Sequence, residues 1–384
     1  MERYDVIIIG GGIAGTSVGF ELSKNSSVII LEQEKHPGYH ATGRSAAVYA
    51  SSYGSENTAL YALVRASWEF FDRPPEGFTQ YPLHHHRGVL YIADQAQLED
   101  LRQYYEGMKV RNPDAEWVGR DIIKNLFPVL KDRYTEAAIY DTNAHDLDVS
   151  ALQEGYLKGI RRSGGVVKTG FRVTQLRKSK KMWIVSNGQQ EYAAPCIVNA
   201  AGAWADEIAQ KASVGKIGIK ALRRSAILFD GPDNRDPSDW AMVVEFNEEF
   251  YFKPEAGKLL ASPANEDPSE PCDAQPEELD IAYAAHYVQQ ALNLPVDKVN
   301  HSWAGLRSFV EDRGPVIGFD PVAEGFFWLA GQGGYGIQTA PAAGRLAASL
   351  ISGEGVPQDM RALGLLESLT SPARLARDPV EQHK

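Results

Sequence analysis

Only two cysteines, Cys196 and Cys272, occur in 384 residues. A disulfide framework has nothing to be built from, and a reducing compartment fits. Neither thiol stands beside a second pair of ligands, so no metal site is expected. The chain also lacks a long apolar run: nothing approaches the roughly 20 residues that span a bilayer. The opening MERYDVIIIG holds a four-residue apolar run, Val6–Ile9, too short for the apolar region of a secretory leader. Positive charge is in deficit, with 39 Lys+Arg against 50 Asp+Glu and a net charge of −11. That balance argues against nucleic acid or an anionic membrane surface as partner. Repeats and low-complexity tracts are absent. The expectation is a soluble, cytoplasmic, globular protein, long enough for two domains.

What is present begins with a compact unit in the first 32 residues. Val6–Ile9 reads as a buried strand, Gly10-Gly11-Gly12-Ile13-Ala14-Gly15 as a tight turn opening a helix, and Val28–Leu31 as a second strand ending on Glu32. Strand, crossover helix and strand make a right-handed βαβ unit of a parallel sheet. Gly10 permits the turn, Gly12 lets the backbone approach a pyrophosphate, and Gly15 lets helix and strand pack closely. The helix start, at Ile13 and Ala14, offers N–H groups to phosphate. Glu32 can accept from both hydroxyls of an adenosine ribose and would repel a 2′-phosphate. FAD or NAD is therefore expected over NADP.

Further segments suit a flat cofactor. Thr42-Gly43-Arg44-Ser45-Ala46-Ala47 is a small-residue loop with one cation for phosphate. The strand Cys196-Ile197-Val198-Asn199 ends in Ala200-Ala201-Gly202-Ala203-Trp204, where close approach to a cofactor and tight core packing are equally good explanations. Gly331-Gln332-Gly333-Gly334-Tyr335-Gly336 precedes a helix, with Pro341 expected near its start, whose dipole suits developing negative charge. Strands are expected at 89–92, 166–169, 183–185, 197–199, 226–229 and 250–253, and helices at 59–71, 98–107, 149–162, 277–292 and 341–351. The fold class is α/β: a Rossmann-like domain with a second α+β domain on an antiparallel sheet.

In their order along the chain, GGGIAG with Glu32, TGRSA, VNAAGAWA, WAGLRSFVEDRGPVIG and GQGGYGIQT resemble the D-amino acid oxidase family of flavoproteins, in particular its bacterial D-arginine dehydrogenase branch. The likeness runs over nearly the whole chain. It implies non-covalent FAD in a discontinuous domain of residues 1–82, 146–215 and 303–384, covered by a substrate domain of 83–145 and 216–302. By the same resemblance, Gln33, Val173, Ile337 and Gln338 join the cofactor set named above.

Oxidising an amino acid by hydride transfer from Cα requires a fixed carboxylate, a neutral amine and exclusion of water. A guanidinium suits the carboxylate. Arg307 matches the family's carboxylate-binding arginine and Arg224 a second arginine on the substrate side, with Arg223 an equal candidate by spacing. Tyr53 and Tyr251 match tyrosines that close over the substrate, while Tyr335 and Gln338 are expected in the loop beside the flavin. Met242 and Val244 are expected in the substrate pocket, with Val48 and Val89. The last two stand where the arginine enzyme has a histidine and a glutamate. Apolar residues cannot neutralise a buried guanidinium. Neutral or apolar D-amino acids are therefore expected over D-arginine, unless Glu245 or Glu248 compensates. The expected electron acceptor is a quinone, a dye or O₂. Alternatives are an oxidase of glycine, N-methyl amino acids or 2-hydroxy acids in the same fold and, more remotely, a non-catalytic or NAD-binding module. Of His84-His85-His86, only the first and third share a strand face.

Overall fold

In the computed structural model all residues are described except Tyr53, Ser55, Glu56, Asn234 and residues 377–384. A six-stranded sheet runs in the order Val166–Lys168, Val28–Leu31, Val6–Ile9, Cys196–Asn199, Phe326–Ala330, Val316–Phe319. Its pairings are parallel except the last. The apolar runs fit a sheet covered on both faces, and the residues divide by parity. Val6 and Ile8 pack with the helices Ile13–Leu22, Thr58–Asp72 and Gly336–Ile351. Ile7 and Ile9 pack on the other side with Trp183, Val185 and the helix Ala205–Lys211. The mixed α/β architecture expected from the sequence is the one found.

A large, mostly antiparallel sheet supplies the second body of structure. Its longest pair is Lys220–Phe229 against Val299–Phe309. Val89–Ile92, Met242–Glu245, Tyr251–Glu255 and Lys258–Ser262 continue it. Alternation again splits the side chains. Leu90, Ile92, Val243, Phe252, Leu259 and Ala261 form a core with Ala284 and Val288 of the helix Glu278–Ala291. Val89, Tyr91, Met242, Val244 and Tyr251 face the other way. A small antiparallel sheet is formed by Val48–Tyr49, His145–Leu147 and His84–His86. There His84 Nδ1 meets His145 Nδ1 at 3.1 Å, while His86 Nε2 lies 2.9 Å from the Thr142 carbonyl.

The last long helix departs from expectation. It begins at Gly336, so Pro341 is in its second turn rather than near its start. The glycine run ends at the helix cap, Tyr335, and sets the first turn earlier; the proline then forgoes one backbone bond inside a buried helix.

Candidate active site

One cavity of about 330 Å³ is walled by the glycine-rich ends of the parallel strands and by the inner face of the large sheet. At the first end, Gly10 holds φ +107°, and a Cβ there would come within 2.4 Å of the Ala200 carbonyl oxygen. A Cβ on Gly15 would be 1.9 Å from the Gly10 oxygen. Backbone therefore lies against backbone where the cavity needs width. Gly12 caps the helix and lines the cavity with Ile13 and Ala14. Ile13 N donates to Thr42 Oγ1 at 2.9 Å, which draws the small-residue loop onto the helix start.

Glu32 is buried at the cavity edge. Its Oε2 accepts from Gly11 N at 2.6 Å and its Oε1 from Glu34 N at 2.8 Å. A carboxylate has about four lone-pair sites, so capacity remains for a diol. Burial pushes its carboxyl above the usual range, against the pull of those two amides. Gln33, Val173, Ala201, Gly202 and Trp204 line the same end, as expected. His40 was missed by the sequence reading: it packs on Trp204 with centroids 4.6 Å apart and its Nε2 meets Glu34 at 3.0 Å. Its Nδ1 is buried without a hydrogen-bond partner, as is Gln332 Nε2, and both side chains are on the cavity wall. Orphaned buried polar atoms cost on the order of 1–3 kcal/mol each. A polar group filling the cavity answers both, so the residues present fit a dinucleotide cofactor.

Beyond this, Ser45, Ala46, Ala47, Gly331, Gly333, Gly334, Gly336 and Ile337 line the middle of the cavity. Three expected contacts fall elsewhere. Gly43 does not line the cavity; a Cβ on it would meet the Gly38 oxygen at 2.7 Å. Gln338 is inside the helix rather than in the loop, and its Oε1 accepts from Ala50 N at 3.1 Å. Tyr335 caps that helix, its ring 2.7 Å from where a Cβ on Gly54 would stand. Gln338 thus holds Ala50, and Tyr335 packs at Gly54. Tyr53 lies outside the described residues. Arg44 lines the cavity, but its guanidinium pairs with Asp273 and donates to the carbonyls of Ala274 at 2.7 Å and Ala304 at 3.0 Å. It ties the 272–274 segment down, where a phosphate contact was expected.

At the far end the register of the long strand pair chooses between the arginines. Arg224 opposes Gly305 and Leu222 opposes Arg307, which puts Arg224 and Arg307 on one sheet face in diagonal positions. Both line the cavity. Arg224 donates from Nε to the Asn265 carbonyl at 2.8 Å and its Nη2 is 3.3 Å from Glu266. Arg307 lies under the glycine loop, its Nη1 2.9 Å from where a Cβ on Gly334 would stand. Arg223 is on the opposite face, paired with Glu277 at 2.6 Å and Asp280 at 3.0 Å. Val48, Val89, Met242, Val244 and Tyr251 close this end, joined by Ala50 and Tyr91. Glu245 is turned into its own hairpin, accepting from Gln97 Nε2, Asn247 N and Glu249 N. Glu248, at φ +57°, is the carboxylate that lines the cavity rim here.

A glycine-cradled dinucleotide end joined in one cavity to two cationic side chains over a sheet face defines a cofactor-dependent oxidoreductase. The chain belongs to the DAO family of FAD-dependent oxidoreductases, whose model matches residues 5–350. The hydrogen cyanide synthase subunit HcnC of Pseudomonas aeruginosa is 23% identical, over 98% of this chain and 99% of its own length. In structure, glycine oxidase from Geobacillus kaustophilus superposes with a TM-score of 0.80 at 21% identity, covering 93% of this chain and 99% of that one. The L-α-glycerophosphate oxidase of Mycoplasma pneumoniae, solved with FAD bound, gives a TM-score of 0.80 at 17% identity over 92% and 95%.

Proposed function

We propose that the protein catalyses oxidative deamination of D-amino acids with neutral or apolar side chains, using non-covalently bound FAD. The observation that carries this reading is the placement of Arg224 and Arg307 on one sheet face inside the cavity that also holds the glycine cradle and Glu32. When bound, FAD supplies a two-electron acceptor for the hydride that leaves the substrate's Cα. Glu32 and the amides at the start of the Ile13–Leu22 helix hold the adenosine and pyrophosphate. Arg307 and Arg224 clamp the substrate carboxylate, which fixes the direction of the Cα–H bond. By the family resemblance, Tyr251 and Tyr53 are the side chains that close over the substrate.

The side-chain end supports the specificity. Val48, Val89, Met242 and Val244 offer no charge to a guanidinium or ammonium, and an unpaired buried cation is strongly unfavourable. The amine loses its proton to water before transfer, because among the described residues Glu248 at the rim is the one cavity carboxylate at this end. The product imino acid then hydrolyses in water to a 2-oxo acid and ammonia. The D preference rests on the family resemblance alone. By that resemblance residues 1–82, 146–215 and 303–384 form the FAD domain and the remainder the substrate domain. Mixing the purified protein without oxygen against paired D- and L-amino acids, glycine, sarcosine and 2-hydroxy acids tests the reading. Bleaching of the flavin by D-alanine or D-valine, ahead of D-arginine and the L-isomers, is expected. Bleaching by sarcosine, glycine or hydroxy acids alone overturns it.

A further inference from the structure

Gln153 is a buried amide among the largely apolar inner residues of its helix, Val149–Arg162. Its neighbours there, Leu152 and Tyr156, pack with Ile13 in one core. Burying an amide without partners is costly, so its contacts have to answer for it. Gln153 Nε2 donates to the Gly11 carbonyl at 2.8 Å, across 142 positions of chain. Its Oε1 accepts from the Thr16 hydroxyl at 2.8 Å, and Thr16 is itself wholly buried. A carbonyl has no proton to give, which fixes the amide: the nitrogen faces Gly11 and the oxygen faces Thr16. Gly11 is thus held at both ends, its N–H by Glu32 at 2.6 Å and its carbonyl by Gln153. Gln153 does not line the cavity, whereas Gly12 does.

The peptide joining Gly11 to Gly12 is planar and trans. Its N–H, on Gly12, therefore points opposite to the Gly11 carbonyl and away from Gln153. Neither flanking residue has a Cβ, so this peptide can turn over at little steric cost. Turned over, it would offer an oxygen where an anion has to be bound by backbone N–H groups. We infer that Gln153 is a positioning residue for the cofactor, locking the peptide between Gly11 and Gly12 with its N–H available to the pyrophosphate. Thr16 in turn holds the Gln153 amide. The inference rests on the FAD site of the function proposed above and is independent of the substrate.

Without the amide, the binding orientation leaves the Gly11 carbonyl buried and unpaired, and phosphate binding has to bear that cost. The test sets Gln153→Met, close in shape but with no donor, and Thr16→Val beside the unaltered holoenzyme. ADP and adenosine are each used to displace FAD, whose release is read by flavin fluorescence. Adenosine reports general damage to the cradle, so the ADP-to-adenosine affinity ratio isolates the phosphates. A ratio within one preparation does not depend on the folded fraction. It is expected to fall about tenfold in Gln153→Met and about threefold in Thr16→Val, which keeps the donor but loosens it. Phosphorus NMR of the bound FAD needs no displacement, and one resonance should move toward its position in free FAD. An unchanged ratio in Gln153→Met, or phosphorus resonances that stay in place, overturns the inference alone. A purified protein that carries no FAD overturns the function proposed above and the inference with it. If FAD is bound but no D-amino acid is oxidised, only the substrate reading fails, and the role of Gln153 is still decided.

Discussion

Gly15→Ala is the smallest change that attacks the cofactor cradle. The added methyl would be 1.9 Å from the Gly10 carbonyl oxygen and 3.2 Å from Ile8 Cγ2, where ordinary contact begins at 3.4 Å. The obstacle is backbone, which cannot rotate aside, so helix and strand must separate by about 1.5 Å in a close-packed core. Overpacking of this kind costs about 1–3 kcal/mol. The top of that range, about 3 kcal/mol, is expected here and lowers the melting temperature by roughly 5 °C. The helix start that faces the phosphates moves with it. Losing hydrogen bonds to a charged group costs about 1.5–3 kcal/mol, or about 10- to 100-fold in FAD affinity. Gly107→Ala is the control: it lies within the helix Leu98–Arg111, and nothing is within 4 Å of its Cβ. The same substitution there gains about 0.5–1 kcal/mol. FAD content after gel filtration, a flavin-fluorescence titration and thermal melts read all of this. A Gly15→Ala protein that keeps full FAD and the parental melting temperature refutes the packing argument.

Arg307→Lys keeps the charge and loses the fork, and should raise KM for a D-amino acid about tenfold with FAD content unchanged; Arg307→Leu should raise it about a hundredfold, and steady-state kinetics check both. Thiol alkylation of the native protein should label the exposed Cys272 and spare Cys196, whose thiol burial pushes up to about 12; peptide mapping by mass spectrometry reads the sites, and equal labelling would contradict the packing. Burial, with the neighbouring His84 and His86 adding to it, holds the His145 imidazole down to about 4. The unfolded chain takes up that proton below about pH 6.5 and the folded chain does not. Stability present above about pH 6.5 should therefore be lost as pH falls toward 4, and His145→Asn should flatten that limb in urea titrations across the range.

Local chemistry was readable where one short segment carries it. The βαβ unit of Val6–Ile9, GGGIAG and Val28–Leu31 needs only its own residues, and the turn, the helix and the buried Glu32 stand where spacing put them. The strand Lys220–Phe229 was anticipated only over its last four residues. Its first half carries Lys220, Arg223 and Arg224, which hide the alternation, and its partner Val299–Phe309 is far along the chain. The same register separates Arg224 from Arg223, a choice spacing could not make. Gln338 was taken for a loop residue because the glycine run masks where the helix begins. Tyr91 could have been found, since it follows Val89 by one pleat. His40 and Gln332 could not, because only a folded cavity reveals an orphaned nitrogen.

The most direct measurement is anaerobic reduction of the holoenzyme by D-alanine carrying deuterium at Cα, beside the protium form. Transfer of that hydrogen from a carboxylate-clamped substrate predicts a flavin that bleaches with both and several-fold more slowly with deuterium, yielding pyruvate and ammonia. A flavin that stays oxidised, or one that bleaches at the same rate with both in a single-turnover experiment at saturation, would contradict the account.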